Sequence, residues 1–315
     1  MNVQGLDQIL KFFSEKDLNG ITNLEKAEKH SKVIRRIKST SLDKSYEEGT
    51  KKESSYPIGV VVENNKLIGL GIHIFNEDVY PLQSFEIYLR NCGLTGKLCL
   101  DGCDDMVFLD FYNNSIEEVT LGSMKAMRIL GLQNNKIEKI DPRALPLCQG
   151  IDIGKNKLKE IDVRLNPELV ELYINDNEIS EINLTENKKL KYFYCHNNKI
   201  TKLDTRENKL LRHLNAENNP MTEIYSLAPQ RDEILPLTLK AEEGGFVGLK
   251  FNPIYNAQWK ETGQWQQSYS AYPKEGYEFK GWFEKNGTLL STDANYIDTY
   301  GASRELTARF ERVRS

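Results

Sequence analysis

A chain of 315 residues, 39% of them hydrophobic, has room for two or three domains and a sizeable core. Its formal net charge of -4 and pI near 5.8 give no general attraction to nucleic acid or anionic lipid, so nucleic acid is not expected as a partner. No apolar run approaches the roughly 18 residues of a membrane span, and Asp7, Lys11, Glu15, Lys16 and Asp17 break the opening stretch too often for a signal peptide.

At the start, Leu6, Ile9, Leu10 and Phe13 keep the spacing of one helix face, and Gly20 is placed to stop that helix. A second helix is expected over 23–37, with the basic run Lys32, Arg35, Arg36 and Lys38 on its solvated face. The Ser-, Lys- and Glu-rich segment 39–55 reads as a flexible linker, so residues 1–55 form a helical segment plus linker. Next, 58–62 and 67–75 are β-rich runs joined by Glu63, Asn64, Asn65 and Lys66. They predict a hairpin whose second strand, with Leu70 and Ile72, covers the open end of the repeat region beginning at Phe85.

From Phe85 to Leu227 one pattern recurs, with Asn114, Asn135, Asn156, Asn177, Asn198 and Asn219 each 21 residues after the last. One turn reads Leu169, Leu172, Ile174, Asn177, Ile179, Ile182, Leu184, Asn187, and Leu190 opens the next. This is the spelling of a leucine-rich repeat. Leu172 and Ile174 alternate with Tyr173, so a short strand turns its apolar side inward and offers the intervening side chains to solvent. A single turn cannot bury that side; stacked turns close a continuous core. The recurrent Asn sits where the chain bends out of the strand, and its amide can donate to and accept from the backbone of adjacent turns, a structural role. Cys92 takes this position in the first turn, which carries one extra residue, placed at Gly96. Four of the five cysteines, Cys92, Cys103, Cys148 and Cys195, fall on inward positions, and Cys99 points outward. An odd count without a small secreted framework argues against a disulfide scaffold, and no paired ligand set supports a metal or other cofactor.

These turns resemble the 21-residue leucine-rich repeats of bacterial surface proteins of the internalin-like class, the phrase from Tyr192 to Asp204 most of all. From Ile234 the composition shifts to alternating aromatic-rich segments separated by Gly and Pro, expected to form a small separate β domain. There, 270–273, 276–282, 291–296 and 306–311 are similar to the B-repeat that accompanies such solenoids. The resemblance implies a β-grasp-like module, with Tyr277, Phe279 and Trp282 read as its core. The expected fold is therefore a β-rich (α+β) repeat protein. It has a helical N-terminal segment (1–55), a leucine-rich repeat solenoid with a hairpin cap (56–230) and a B-repeat-like domain (231–315). The resemblance also implies an exported, non-catalytic protein that binds other macromolecules; because the opening stretch does not read as a signal peptide, the chain is expected either to be a mature or trimmed form or to be a scaffold that stays in the cytoplasm.

If the strands are placed correctly, three columns of side chains stand on the concave sheet. The first runs Glu86, Phe108, Ile129, Gly150, Glu171, Tyr192, His213. The second runs Tyr88, Asp110, Gly131, Asp152, Tyr173, Tyr194, Asn215, and the third Arg90, Tyr112, Gln133, Gly154, Asn175, His196, Glu217. The core does not require these residues. They assemble one aromatic group from Tyr88, Phe108 and Tyr112 and another from Tyr173, Tyr192 and Tyr194 with His196 and His213, while Gly131, Gly150 and Gly154 between them are expected to leave backbone open. Exposed aromatics on a rigid sheet suit a protein or glycan partner; strand propensity alone also places Tyr on strands. A self-associating structural protein is the second reading. An enzymatic site built from His196 and Glu217 with Asp110 and Asp152 is set aside, because no Ser, Cys or zinc motif accompanies these residues.

Overall fold

The computed structural model describes residues 33–38, 57–63, 66–71, 86–88, 95–100, 108–230, 233–255, 261–298 and 304–314. The chain divides into two compact units, Met1–Lys157 and Leu158–Ser315. In each, 21-residue turns stack as coils of a β-rich solenoid.

The first unit begins with β1 (Val33–Lys38), which pairs antiparallel with β2 (Pro57–Glu63), Ile34 opposite Val61 and Ile37 opposite Ile58. This corrects the second expected helix: its last turn is a strand, and Arg35, Arg36 and Lys38 lie on β1 rather than on a helix face. The β-branched Val33, Ile34 and Ile37 favour an extended backbone once a Val-rich partner strand is available, and pairing then overrides a weak local helix preference. The helix expected at 6–20 and the linker at 39–55 lie outside the described residues. β2 turns back into β3 (Lys66–Gly71), the expected hairpin, and β3 meets β4 (Glu86–Tyr88) in parallel through Leu70 and Ile87. From β4 the repeat strands β6 (Phe108–Asp110), β8 (Ile129–Gly131) and β9 (Gly150–Asp152) follow in parallel, and β5 (Thr95–Cys99) pairs with β7 (Ser115–Thr120) in a small second sheet. The extra residue expected at Gly96 is corrected: Gly96 has φ +76° and pairs with Ile116, and the β5–β7 register shifts next to it by passing over Glu117 on β7, so the unpaired residue there lies on β7. Leu109, Leu130 and Ile151 point inward at 0–1% exposure.

In the second unit β10 (Glu171–Tyr173), β11 (Tyr192–Tyr194) and β13 (His213–Asn215) continue the repeat in parallel, with Leu172, Phe193 and Leu214 buried. Here β13 pairs antiparallel with β16 (Gly245–Tyr255), which pairs with β17 (Glu261–Pro273) and through it with β20 (Asn295–Asp298). A second sheet runs β12 (Lys202–Asp204), β14 (Glu223–Gln230), β15 (Glu233–Ala241), β21 (Arg304–Arg312), β18 (Tyr277–Glu284), β19 (Leu289–Ser291). The last coil is thus covered on both of its sheets by the strands C-terminal to it, and its core apolar groups and strand edge are both paired. Between the two sheets lie Trp282 and Tyr269, both 0% exposed, with ring centroids 6.0 Å apart. Phe279 packs against Trp282 and Phe310 at 5.7 Å each. Close approach explains the Gly244–Gly245 pair: a Cβ on Gly245 would stand 2.2 Å from the Phe310 ring, and one on Gly244 2.2 Å from Tyr277.

Apart from a single 3-10 turn at Pro142–Ala144, the described residues contain no helix. Among the described residues of 231–315 every element is a strand, and the long alternating runs pair with each other and with β13 and β14. No helix among the described residues is long and apolar enough to cross a membrane.

Candidate binding face

What holds the column residues in place is the Asn of each turn. The Asn135 side chain accepts from the Ile116 N–H at 3.0 Å and donates to the Phe111 and Leu132 carbonyls, both at 3.0 Å. Asn156 repeats this with Ile137, Leu132 and Ile153, Asn198 with Ile179, Ile174 and Cys195, and Asn219 with Ile200, Cys195 and Ala216. Every such amide ties backbone groups of its own turn to those of the preceding turn in a buried place, where leaving those groups unpaired is costly.

Two further devices were not expected from the sequence. Asn113, Asn134, Lys155, Asp176, Asn197 and Asn218, each the residue before the recurrent Asn of its turn, lie in the left-handed region with φ between 53° and 57°. Asn and Asp tolerate that conformation best, and their side chains link successive turns: Asn134 to Asn113 at 2.5 Å, Asn197 to Asp176 at 2.6 Å, Asn218 to Asn197 at 2.8 Å. The signal was legible as the repeated Asn-Asn or Asp-Asn doublet. Second, Asp110, Asp152 and Asn215 in the middle column accept from the backbone N–H two residues on, at 3.0–3.2 Å. These side chains shape the exit from the strand.

Within each unit the strand registers set the first two columns as written. In the first unit Glu86, Phe108, Ile129 and Gly150 are mutual partners, as are Tyr88, Asp110, Gly131 and Asp152. Phe108 and Tyr112 are half-buried and Ile129 is 42% exposed, while the side chain of Tyr88 lies outside the described residues. The open backbone expected at the glycines is corrected: Gly150 and Gly154 are buried, and only Gly131 is half-exposed. Parallel strands about 4.8 Å apart let neighbouring side chains overhang a residue that has none of its own.

In the second unit Glu171, Tyr192 and His213 are in register, as are Tyr173, Tyr194 and Asn215. Tyr173, Tyr192 and Tyr194 are half-buried, each with part of its ring in water. Tyr173 and Tyr194 meet edge to face at 5.1 Å, Tyr192 stacks on His213 at 4.4 Å, and Tyr194 lies 6.3 Å from His196. The Tyr173 hydroxyl donates to Glu171 at 3.3 Å. Burial, then the nearby Tyr192 phenol, push the Tyr194 phenol above its ordinary pKa, so it stays neutral. His213 is corrected as a contact residue: it is 8% exposed, covered by Tyr192 on one side and by β16 alongside β13. Burial lowers its pKa, Glu261 opposes this, and Arg212 adds to it.

Glu217 is held by the Ser270 hydroxyl at 3.3 Å and by Lys250 at 3.9 Å, whereas His196 faces Asp176 at 3.9 Å. Among the described residues no three His, Cys, Asp or Glu side chains gather into a metal-binding group. Cys148 and Cys195 are buried thiols; burial pushes Cys148 up to about 12 and raises Cys195 as well, so neither is nucleophilic at neutral pH.

Among solved structures, the functional domain of InlJ from Listeria monocytogenes is similar at 24% identity, covering 44% of this chain and 35% of that one, with a TM-score of 0.36. An internalin, InlF, from the same organism gives 18% identity, coverage of 38% and 44%, and a TM-score of 0.31. A leucine-rich repeat protein of Leptospira interrogans gives 15%, coverage of 44% of each chain, and 0.32. The chain spans between 35% and 44% of the length of these structures. No curated protein matches it. Residues 235–314 match the family model described as the divergent InlB B-repeat domain, which is the resemblance read from 270–311.

Proposed function

We propose that this chain is a non-catalytic interaction protein of a bacterial cell surface, which captures a protein or glycan on the sheet face carrying Tyr173, Tyr192 and Tyr194, bordered by His196. Phe108 and Tyr112, with Tyr88 in register with the Asp110 between them, form a second contact patch in the first unit. Residues 56–230 act as the repeat platform and 231–315 as its terminal module, and the chain works as an exported monomer without a cofactor.

The observation that carries this reading is that three tyrosines stand half-exposed on strands whose backbone is fixed by buried Leu172, Phe193 and Leu214 and by the Asn ladder. Rings held in that way contribute contact area with little loss of conformational freedom on binding. A paired glycan-array and host-protein pull-down screen, run with the wild type and with Tyr192→Ala/Tyr194→Ala, tests it: partners retained by the wild type and lost by the variant support the face. Light scattering over a concentration series separates this reading from self-association.

A further inference from the structure

Resting on that reading of the tyrosine face, we infer that its occupant is a cationic side chain, arginine or lysine, presented by a basic protein segment. The first support is where the charges fall. Within the second unit lysines and arginines recur throughout 158–217, yet none stands in a column position, whereas Glu171 and Glu217 do. Lysines of the repeats lie on other edges of the turns, where they pair with acids: Lys189 with Glu168 at 2.6 Å, Lys199 with Glu178 at 2.7 Å, Lys202 with Glu223 at 2.6 Å.

Geometry supplies the second support. Glu171 stands in register with Tyr192 and accepts from the Tyr173 hydroxyl at 3.3 Å, so one carboxylate lies beside two half-exposed rings. Among the described residues no Lys or Arg pairs with Glu171. Glu217, in contrast, has Lys250 at 3.9 Å and Ser270 at 3.3 Å. The faces of tyrosine rings attract cations, and a carboxylate at their edge adds to that attraction. A guanidinium is the best fit, being planar enough to lie on Tyr192 while its N–H groups reach the carboxylate. A neutral sugar could stack on the rings but would leave the charge of Glu171 uncompensated.

The test titrates the full chain with a short peptide alternating arginine and glycine, beside peptides of the same length alternating glutamate or serine with glycine, followed by calorimetry at low and high salt. Only the arginine peptide is expected to bind, more weakly as salt rises. Glu171→Gln should weaken it about two- to fivefold and Tyr192→Ala/Tyr194→Ala by about tenfold or more. Glu178→Gln, an acid on another edge, should leave it unchanged. Equal binding of the serine peptide, no effect of Glu171→Gln, or an equal effect of Glu178→Gln would overturn the inference. So would failure of the arginine peptide to bind. If a screened partner still loses affinity in the tyrosine variant after such a failure, the tyrosine face stands and only its cationic occupant falls.

Discussion

The ring of Tyr192 lies flat on the imidazole of His213, centroids 4.4 Å apart and planes 17° from parallel. The contact turns a residue expected to touch partners into a buried base, and burial holds its pKa below the ordinary 6.5. Unfolded, His213 takes up its proton near 6.5; folded, it does so only at lower pH. Between those values the unfolded chain binds more protons, so stability falls as pH drops below about 6.5 and levels off under the folded pKa. Denaturant midpoints measured from pH 8 to 5 should show this decline, and His213→Gln should flatten it. An unchanged slope in the variant would place the titration elsewhere.

Two adjacent asparagines should respond very differently to replacement. Asn198→Ala removes the acceptor of the Ile179 N–H and the donor to the Ile174 and Cys195 carbonyls. Unpaired buried groups of this kind cost about 1–3 kcal/mol each, so a loss of about 2–4 kcal/mol is expected. Asn197 is exposed, with φ +56°. Asn197→Ala should cost only about 1 kcal/mol, and Asn197→Gly less still. Equal losses at the two positions in a chemical denaturation series would contradict the structural division of labour between them.

In the terminal module a buried polar cluster joins Tyr269, Asp298 and Arg304. The Tyr269 hydroxyl lies 3.3 Å from the Asp298 carboxylate, which is 2% exposed and 2.9 Å from the Arg304 Nε. Removing one member of such a pair leaves the other charge buried, at about 3–5 kcal/mol. Arg304→Met should therefore destabilise strongly, and Asp298→Leu/Arg304→Met together should cost less than the two single changes summed. Thermal or denaturant unfolding of the four proteins checks the coupling.

Gly245→Ala should cost about 1–3 kcal/mol, because its methyl would meet the Phe310 ring at 2.2 Å. Phe310→Leu in the same chain should recover part of that loss. Additive costs in a double-mutant cycle would mean that the two residues do not meet.

Much of the repeat could be read directly, because its period carries both the core and the columns: Leu172 and Phe193 fall inward, and Tyr173 and Tyr194 share a register, as the 21-residue spacing implies. The Asn role also followed from position alone. What the spacing could not carry was anything depending on partners distant in sequence. Val33–Lys38 has the charge pattern of a helix until Pro57–Glu63 supplies a strand for it to join. His213 counts as a column residue until Tyr192 and β16 cover it. Gly150 and Gly154 look open in a column of letters but are buried in the folded chain. The doublet ending in each buried Asn is visible in the sequence, yet its backbone meaning lies in the left-handed conformation, which periodicity does not report.

The proposed binding face requires the half-exposed rings of Tyr192 and Tyr194 to be where a partner is held. The decisive measurement is the affinity of a partner recovered by the wild-type screen, compared with that for Tyr192→Ala/Tyr194→Ala at equal folded fraction. A loss of about tenfold or more, beyond whatever the lost Tyr192–His213 and Tyr173–Tyr194 ring contacts cost in folding stability, is the expected result. An affinity within about twofold of wild type in a variant that is still folded would contradict it.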